Sequence, residues 1–437
     1  MTPAHPMTPQ PWQGFVWIVG GRTVRAAIGL FVGVWVARYL GPADFGLLNS
    51  ALAVALMLSA LSGLGLDSLV RQELVREPQK SGDILGTCVT LRLASGALLY
   101  VGLICAALRQ SPELRALWLV CGLMLVTHVP MCLDFWYQSR LDLRYSTIGQ
   151  NIAFAISAAL RAGLILIGGP VLWFAGAIVF EGPVSGAFLY SGYVRGPPKD
   201  SRWGWDWARA QRWLRTCWPL LASNLLAVAF TQLNQVILVV YSDAPVEAGR
   251  YAAASRVFEL GSFVITAFVT TQVPSITRAR DLHHEQGAHV LRRSLAQAAA
   301  IAWTIGLGAA VTAPWLTALL FGSEYRGTEA SMRLVALALV PLGSGLIRHE
   351  WWVGAERTHR LLIAYVAGAA ANLLVAVWLI PRWGAAGAAT AMLTGLCTTH
   401  LGGSFFWSDA REFGRWQLNA LLLRPLWTSL KRNQPEP

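Results

Sequence analysis

Charge is scarce in this chain. Asp, Glu, Lys and Arg make up 13% of its 437 residues, where an ordinary soluble domain carries roughly 25%. So little charge cannot cover a soluble body of this length, and a soluble globular enzyme is excluded. Lysine is nearly absent, with only Lys80, Lys199 and Lys431, so the net charge of +12 rests on arginine. The six cysteines (Cys88, Cys105, Cys121, Cys132, Cys217 and Cys397) show no C-x-x-C spacing and fall mostly inside apolar stretches. That excludes a thiolate zinc site or a disulfide framework and leaves small packing residues. No G-x-S-x-G, P-loop or H-E-x-x-H pattern occurs, which removes the usual nucleophile elbow, nucleotide cradle and zinc protease site. His283, His284 and His289 cluster without a cysteine or a rigid frame, so neither a metal nor a cofactor is expected. The N-terminal MTPAHPMTPQPWQ lacks a basic stretch, and the apolar run behind it is too long for a signal peptide; it reads as the first spanning helix.

Long apolar runs are what the chain has in abundance, with 55% hydrophobic residues. Twelve runs are long enough to cross a bilayer, at 14–37, 47–70, 84–108, 114–133, 148–167, 171–193, 216–240, 251–273, 294–320, 332–347, 361–380 and 385–406. A spanning helix needs about 20 mostly apolar residues, whereas a barrel strand alternates over about 10. The fold class expected is therefore an all-α polytopic membrane protein of about 12 transmembrane helices. With the N-terminus inside, the inner segments hold 23 of the 35 Lys and Arg and the outer loops 6. By the excess of positive charge on the cytoplasmic side, both termini are expected in the cytoplasm. Most of the basic charge thus sets topology, and nucleic acid is not an expected partner.

The longest loop, 194–215, divides the spans six and six. The expected organisation is an N-terminal lobe at 1–193, an interfacial linker at 194–215, a C-terminal lobe at 216–406 and a tail at 407–437. In the linker, Trp203, Trp207, Ala210 and Leu214 fall on one helical face and Arg202, Asp206 and Arg209 away from it, as in a helix lying in the membrane interface. A similar surface helix is expected over 416–431. The halves echo each other: ADFGLLNSAL at 43–52 matches VEAGRYAAAS at 246–255, and GGPVLWFAGA at 168–177 matches IPRWGAAGAA at 380–389. These are equivalent turns of two pseudo-symmetric six-helix lobes.

The segment VWVARYLGPADFGLLNSALAVALMLSALSGLGLDSLVRQE at 34–73 resembles the O-antigen and capsule-unit flippases of the multidrug/oligosaccharidyl-lipid/polysaccharide exporter superfamily. The resemblance is carried by Arg38, Leu40, Gly41, Pro42, Asp44, Phe45 and Gly46 in the first outer turn. Gly65, Leu66, Leu69, Val70, Arg71 and Glu73 carry it at the end of span two, with FGSEY at 321–325 and PRWGAAGAA at 381–389 beyond. It implies a two-lobed transporter of the bacterial inner membrane that turns a polyprenyl-pyrophosphate-linked oligosaccharide across the bilayer by alternating access, for surface polysaccharide biosynthesis. The partners implied are that lipid-linked oligosaccharide, the bilayer and the polysaccharide polymerase machinery. The alternatives are a multidrug or solute exporter of the same superfamily and a membrane enzyme that polymerises or ligates lipid-linked glycans. The outer loops are too short to hold two substrates, which weighs against the enzyme.

A pyrophosphate crossing hydrocarbon needs fixed cations on its route. Arg22 and Arg25 lie mid-span on one face, continued by Gly29 and Gly33, and have no acidic neighbour on their helix. Arg92, Arg161 and Arg256 follow in other spans, and guanidinium matches phosphate oxygens bidentately. The bland reading competes at each. Arg92 is close enough to a span end to snorkel, and Arg256 has Glu259 three residues on. Asn224 and Asn234 on span seven suit either sugar hydroxyls or contacts between helices. Glu181, beside Gly182 and Pro183, has no near basic residue in sequence and is the candidate for ion coupling or for neutralising an arginine. Asp67, with Arg71 four residues on, is expected to pair at a helix end.

Overall fold

The computed structural model describes residues 11–140, 143–195, 203–242, 245–280, 284–355 and 357–422. Among these the chain is helical, with no strand. In order the helices are α1 (Pro11–Ser62), α2 (Asp67–Arg76), α3 (Ser81–Ala107), α4 (Pro112–Gly122), α5 (Met124–Thr127) and α6 (Leu133–Ser139). They continue with α7 (Leu143–Ile167), α8 (Val171–Val179), α9 (Glu181–Arg195), α10 (Trp207–Ser242), α11 (Pro245–Arg278) and α12 (His284–Val311). The last are α13 (Ala313–Leu316), α14 (Glu329–Leu337), α15 (Leu339–Gly354), α16 (Thr358–His400) and α17 (Arg411–Leu421).

Nine helical stretches among the described residues are long and apolar enough to cross a membrane, and a tenth comes from the two parts of α10 taken together. Two of the nine are double. α1 breaks at Gly41, whose φ of 70° only glycine adopts without strain, and Pro42 then starts the next helix. α16 breaks at Gly384, with φ 51°, three residues after Pro381. With each double stretch read as two spans, the helices are consistent with the twelve expected from hydropathy. The chain is a multi-pass membrane protein.

The chain divides into two compact units, Met1–Tyr39 with Ala51–Leu225, and Leu40–Ser50 with Leu226–Pro437. The division falls beyond the 194–215 loop. The reason is in the first unit, where the start of α10 packs onto α2. Arg209, 4% exposed in its side chain, reaches Glu73 at 3.1 Å, Glu77 at 3.4 Å and Asp206 at 3.9 Å. The indole of Trp213 donates to Glu73 at 2.8 Å. The expected face is therefore split. Ala210, Trp213 and Cys217 turn into the core of the first unit, whereas Trp207, Leu214 and Trp218 are exposed. Arg202 lies outside the described residues, as does most of the second surface helix expected, from residue 423 on. Its beginning is α17, which buries Phe413, Gln417 and Ala420 in the second unit.

In the second unit the segment 40–50 lies against the start of α11. A side chain on Gly46 would meet the Pro245 carbonyl, and one on Gly249 would meet the Pro42 carbonyl, so the contact is reciprocal and backbone to backbone. Gln235 donates to Ser50 Oγ at 3.2 Å and to the Ala248 carbonyl at 3.1 Å. Glu247 accepts from the backbone N–H of Ala385 at 2.8 Å, capping the half of α16 that begins after Gly384. The acid of the 246–255 turn thus holds the turn at 380–389.

Candidate functional site

Arg25 of α1, Phe154 and Arg161 of α7 and Glu181 of α9 converge in the first unit. Arg25 forms an ion pair with Glu181, 156 residues away in sequence. The Arg25 guanidinium also sits 4.9 Å from the centre of the Phe154 ring, and that of Arg161 sits 5.7 Å from the same ring. Phe154, Ser157 and Arg161 are spaced by three and four residues, which puts them on one face of α7. The backbone carbonyl of Ser157 accepts from Arg161 Nε at 3.1 Å, and its hydroxyl donates to the Ala177 carbonyl at 2.8 Å, tying α7 to α8. The His128 ring packs against Gly182, next to Glu181. Two guanidiniums thus share one aromatic ring, and Arg25 is paired with the Glu181 carboxylate. A ring face attracts cations, so Phe154 helps to hold both guanidiniums in place.

A second pair of arginines repeats the arrangement elsewhere in the first unit. Arg92 is 5.2 Å and Arg71 5.9 Å from the centre of the Phe135 ring. Arg92 pairs with Asp67 and reaches the Gly63 carbonyl at 3.4 Å. Arg71 donates to Gln138 Oε1 at 3.0 Å, and Gln138 donates in turn to Asp134 at 2.7 Å. Asp67 therefore does not pair with Arg71, its neighbour one turn on. Arg92 reaches in from α3, and Arg71 turns to α6.

The remaining candidates are dispersed. Arg256 pairs with Glu259 at 2.8 Å, as the spacing suggests, and donates to Asn49 Oδ1 at 3.1 Å. Asn234 is fully buried, and its amide donates to the Ala388 carbonyl at 3.2 Å and to the Tyr251 hydroxyl at 3.4 Å. That is a helix–helix bond, and it leaves no open amide face for a sugar. Asn224 is exposed and falls in the first unit, whereas Asn234 falls in the second. The side chain of Arg22 lies outside the described residues. So do His283 and the side chain of His284; among the described residues no group of three or more His, Cys, Asp or Glu is placed to hold a metal. Sequence reasoning missed Phe135 and Phe154. The signal for Phe154 was its place seven residues before Arg161 on the same helical face.

A family model described as "Polysaccharide biosynthesis protein" matches residues 11–280. No curated protein sequence matches. Among solved structures, the chain is similar to the inward-facing conformation of a multidrug resistance MATE family transporter of the MOP superfamily, with TM-score 0.68, 15% identity, and coverage of 93% of this chain and 98% of that one. It is similar to the lipid II flippase MurJ in an inward closed conformation, with TM-score 0.67, 14% identity, and coverage of 97% and 94%. A MOP superfamily transporter from Pyrococcus furiosus also matches, with TM-score 0.57, 15% identity, and coverage of 93% and 95%. At such identities the structures speak for the fold, while the family model covers more than half of the chain. The chain belongs to the polysaccharide biosynthesis protein family.

Proposed function

We propose that the chain is a flippase that carries a polyprenyl-pyrophosphate-linked oligosaccharide across the bacterial inner membrane by alternating access, for surface polysaccharide biosynthesis. The observation that carries this reading is the pair of guanidiniums, Arg25 and Arg161, over one Phe154 ring with Glu181 as counter-charge. A site of this kind suits an anion. A pyrophosphate that arrives takes Arg25 from Glu181 and is held bidentately, while the ring keeps both guanidiniums oriented. Glu181 then neutralises Arg25 whenever the site is empty and stands as the candidate for ion coupling. The cost of dehydrating a phosphate in hydrocarbon is what such cations offset, and the lipid tail has no need of them. A multidrug exporter of cations is the poorer fit, because two guanidiniums face the same ring. The excess of basic residues in the inner segments supports cytoplasmic termini, and the polysaccharide polymerase machinery is the partner such a lipid would be handed to.

The test is transport itself. The purified chain is reconstituted in liposomes that carry a fluorescent polyprenyl-pyrophosphate oligosaccharide in one leaflet, and its appearance in the other is followed with a membrane-impermeant quencher. Transfer faster than in protein-free liposomes, lost in Arg25→Ala, is the expected result. Transfer at the protein-free rate would overturn the reading.

A further inference from the structure

The acidic and basic residues of α2 are sorted onto different sides. Asp67 pairs with Arg92. Glu73 is held by Arg209 at 3.1 Å and by Trp213 at 2.8 Å. Glu77, just past the helix, is held by Arg209 at 3.4 Å and by Lys80 at 3.0 Å. Each of these carboxylates is answered by a cation from outside α2, and none answers the arginines of α2 itself. Arg71 and Arg76 are left on the remaining face with Ser68, Gln72 and Val75, at the spacings of three and four that make one side of a helix. That face lines an open groove of about 340 Å³. A second groove of about 220 Å³ adjoins it at Val75 and is lined by Leu74, Pro78, Ser81, Trp136, Ser139 and Arg140.

No carboxylate lines either groove. Among the described residues, Arg71, Arg76 and Arg140 form no ion pair with an acid. Two of them are nevertheless fixed in place. Arg71 is held by Gln138 and the Phe135 ring, and Arg140 lies 4.4 Å from the centre of the Trp136 ring. Cations that are oriented but not neutralised, beside a serine hydroxyl and a glutamine amide, make a site for a phosphate.

We propose that this groove is a second anion subsite, binding a phosphate or pyrophosphate group with Arg71 and Arg76 as its cations and Ser68 and Gln72 as neutral donors. By the count of basic residues it lies at the cytoplasmic end of the first unit, where a ligand loads before it reaches Arg25 and Arg161. The inference rests on the flippase reading only for that direction of travel; the binding is measured without transport. The full chain is placed in phosphatidylcholine nanodiscs with Arg25→Gln as background, so that the mid-span cluster is weakened. Inorganic pyrophosphate and farnesyl pyrophosphate are titrated by calorimetry at low and high salt.

The Arg25→Gln chain should still bind, more weakly as salt rises. Adding Arg76→Gln, at a residue whose side chain makes no hydrogen bond or ion pair among the described residues, should weaken binding about 3–10-fold, and Arg71→Gln with Arg76→Gln at least about 10-fold. Tighter binding of farnesyl than of inorganic pyrophosphate assigns the groove to a lipid-borne phosphate; equal affinity assigns it to the phosphate group alone. The proposal is overturned if the Arg25→Gln chain binds neither compound, or if the chain that also lacks Arg71 and Arg76 binds within twofold of it. A chain that binds here yet moves no oligosaccharide keeps the subsite and loses the flippase reading.

Discussion

Replacing Arg25 by alanine removes two things at once, the cation proposed to meet the ligand and the partner of Glu181. The two effects separate in a double-mutant cycle. Glu181 is 16% and Arg25 34% exposed in their side chains. Breaking a fully buried pair costs about 3–5 kcal/mol, and an exposed pair contributes about 0–1 kcal/mol. This pair lies between those limits, so Arg25→Ala should cost about 1–3 kcal/mol of stability. Loss of a charged contact to a phosphate costs a further ~1.5–3 kcal/mol in binding, or about 10–150-fold in affinity. Glu181→Gln should have the opposite effect on binding, since an amide competes less well than a carboxylate for the guanidinium. Arg25→Ala with Glu181→Gln should then recover most of the lost stability and none of the lost affinity. Thermal unfolding by tryptophan fluorescence reads the first quantity and calorimetric titration with farnesyl pyrophosphate the second. The reasoning fails if the double variant binds as the unaltered chain does, because Arg25 would then act only as the counter-ion of Glu181.

Three further outcomes follow from the packing. Arg209→Leu leaves Glu73 with Trp213 alone and should cost about 3–5 kcal/mol, partly recovered by adding Glu73→Gln; an unchanged unfolding midpoint would show that Glu73 does not depend on Arg209. Gly46→Leu drives a side chain into the Pro245 carbonyl and should destabilise the chain by about 1–3 kcal/mol, which thermal unfolding measures. Asp409 accepts from Arg357 and Arg360 at 2.9 Å each, and the Arg360 bond above all holds its carboxyl below the usual aspartate value. A carboxyl lowered on folding contributes stability above its unfolded value, so this clamp should be complete at neutral pH and lost as pH falls below about 4. Proteolysis between α16 and α17 should rise over that range, and Asp409→Asn should remove the pH dependence.

Hydropathy was enough to see an all-helical membrane protein in this sequence, because a spanning helix leaves a long apolar run whatever it packs against. It was also enough to place the breaks, since Gly41–Pro42 and the Pro381–Gly384 turn are helix-ending combinations. The division into units was less visible. Residues 40–50 group with the second unit because Gly46 and Gly249 allow two backbones to meet, and nothing local in an alanine- and glycine-rich sequence marks which glycines do so. The linker misled for a related reason. Helical periodicity correctly set Trp207 and Leu214 apart from Arg209, but it assigned the apolar side to the interface as a whole. Three acids in the first unit draw Arg209 inward and turn Ala210 and Trp213 with it.

The arginines show where local rules end. Arg256 and Glu259 are three apart, and they pair, since both are partly exposed and nothing stronger competes. Asp67 and Arg71 are four apart and do not, although each has the geometry to reach the other on an isolated helix. The difference is burial. Inside a helix bundle an arginine without a partner is costly, so Arg92, 17% exposed in its side chain, takes Asp67, and Arg71 is left to neutral Gln138 and Phe135. The same reasoning joins Arg25 to Glu181 across 156 residues, two groups that each stand out in sequence by having no local counter-charge. A charge isolated in an apolar run is therefore a statement about a distant partner. Where a bundle holds more arginines than acids, pairing must stop short of completion, and at α2 the arginines left without an acid are the feature that the proposed anionic ligand would use.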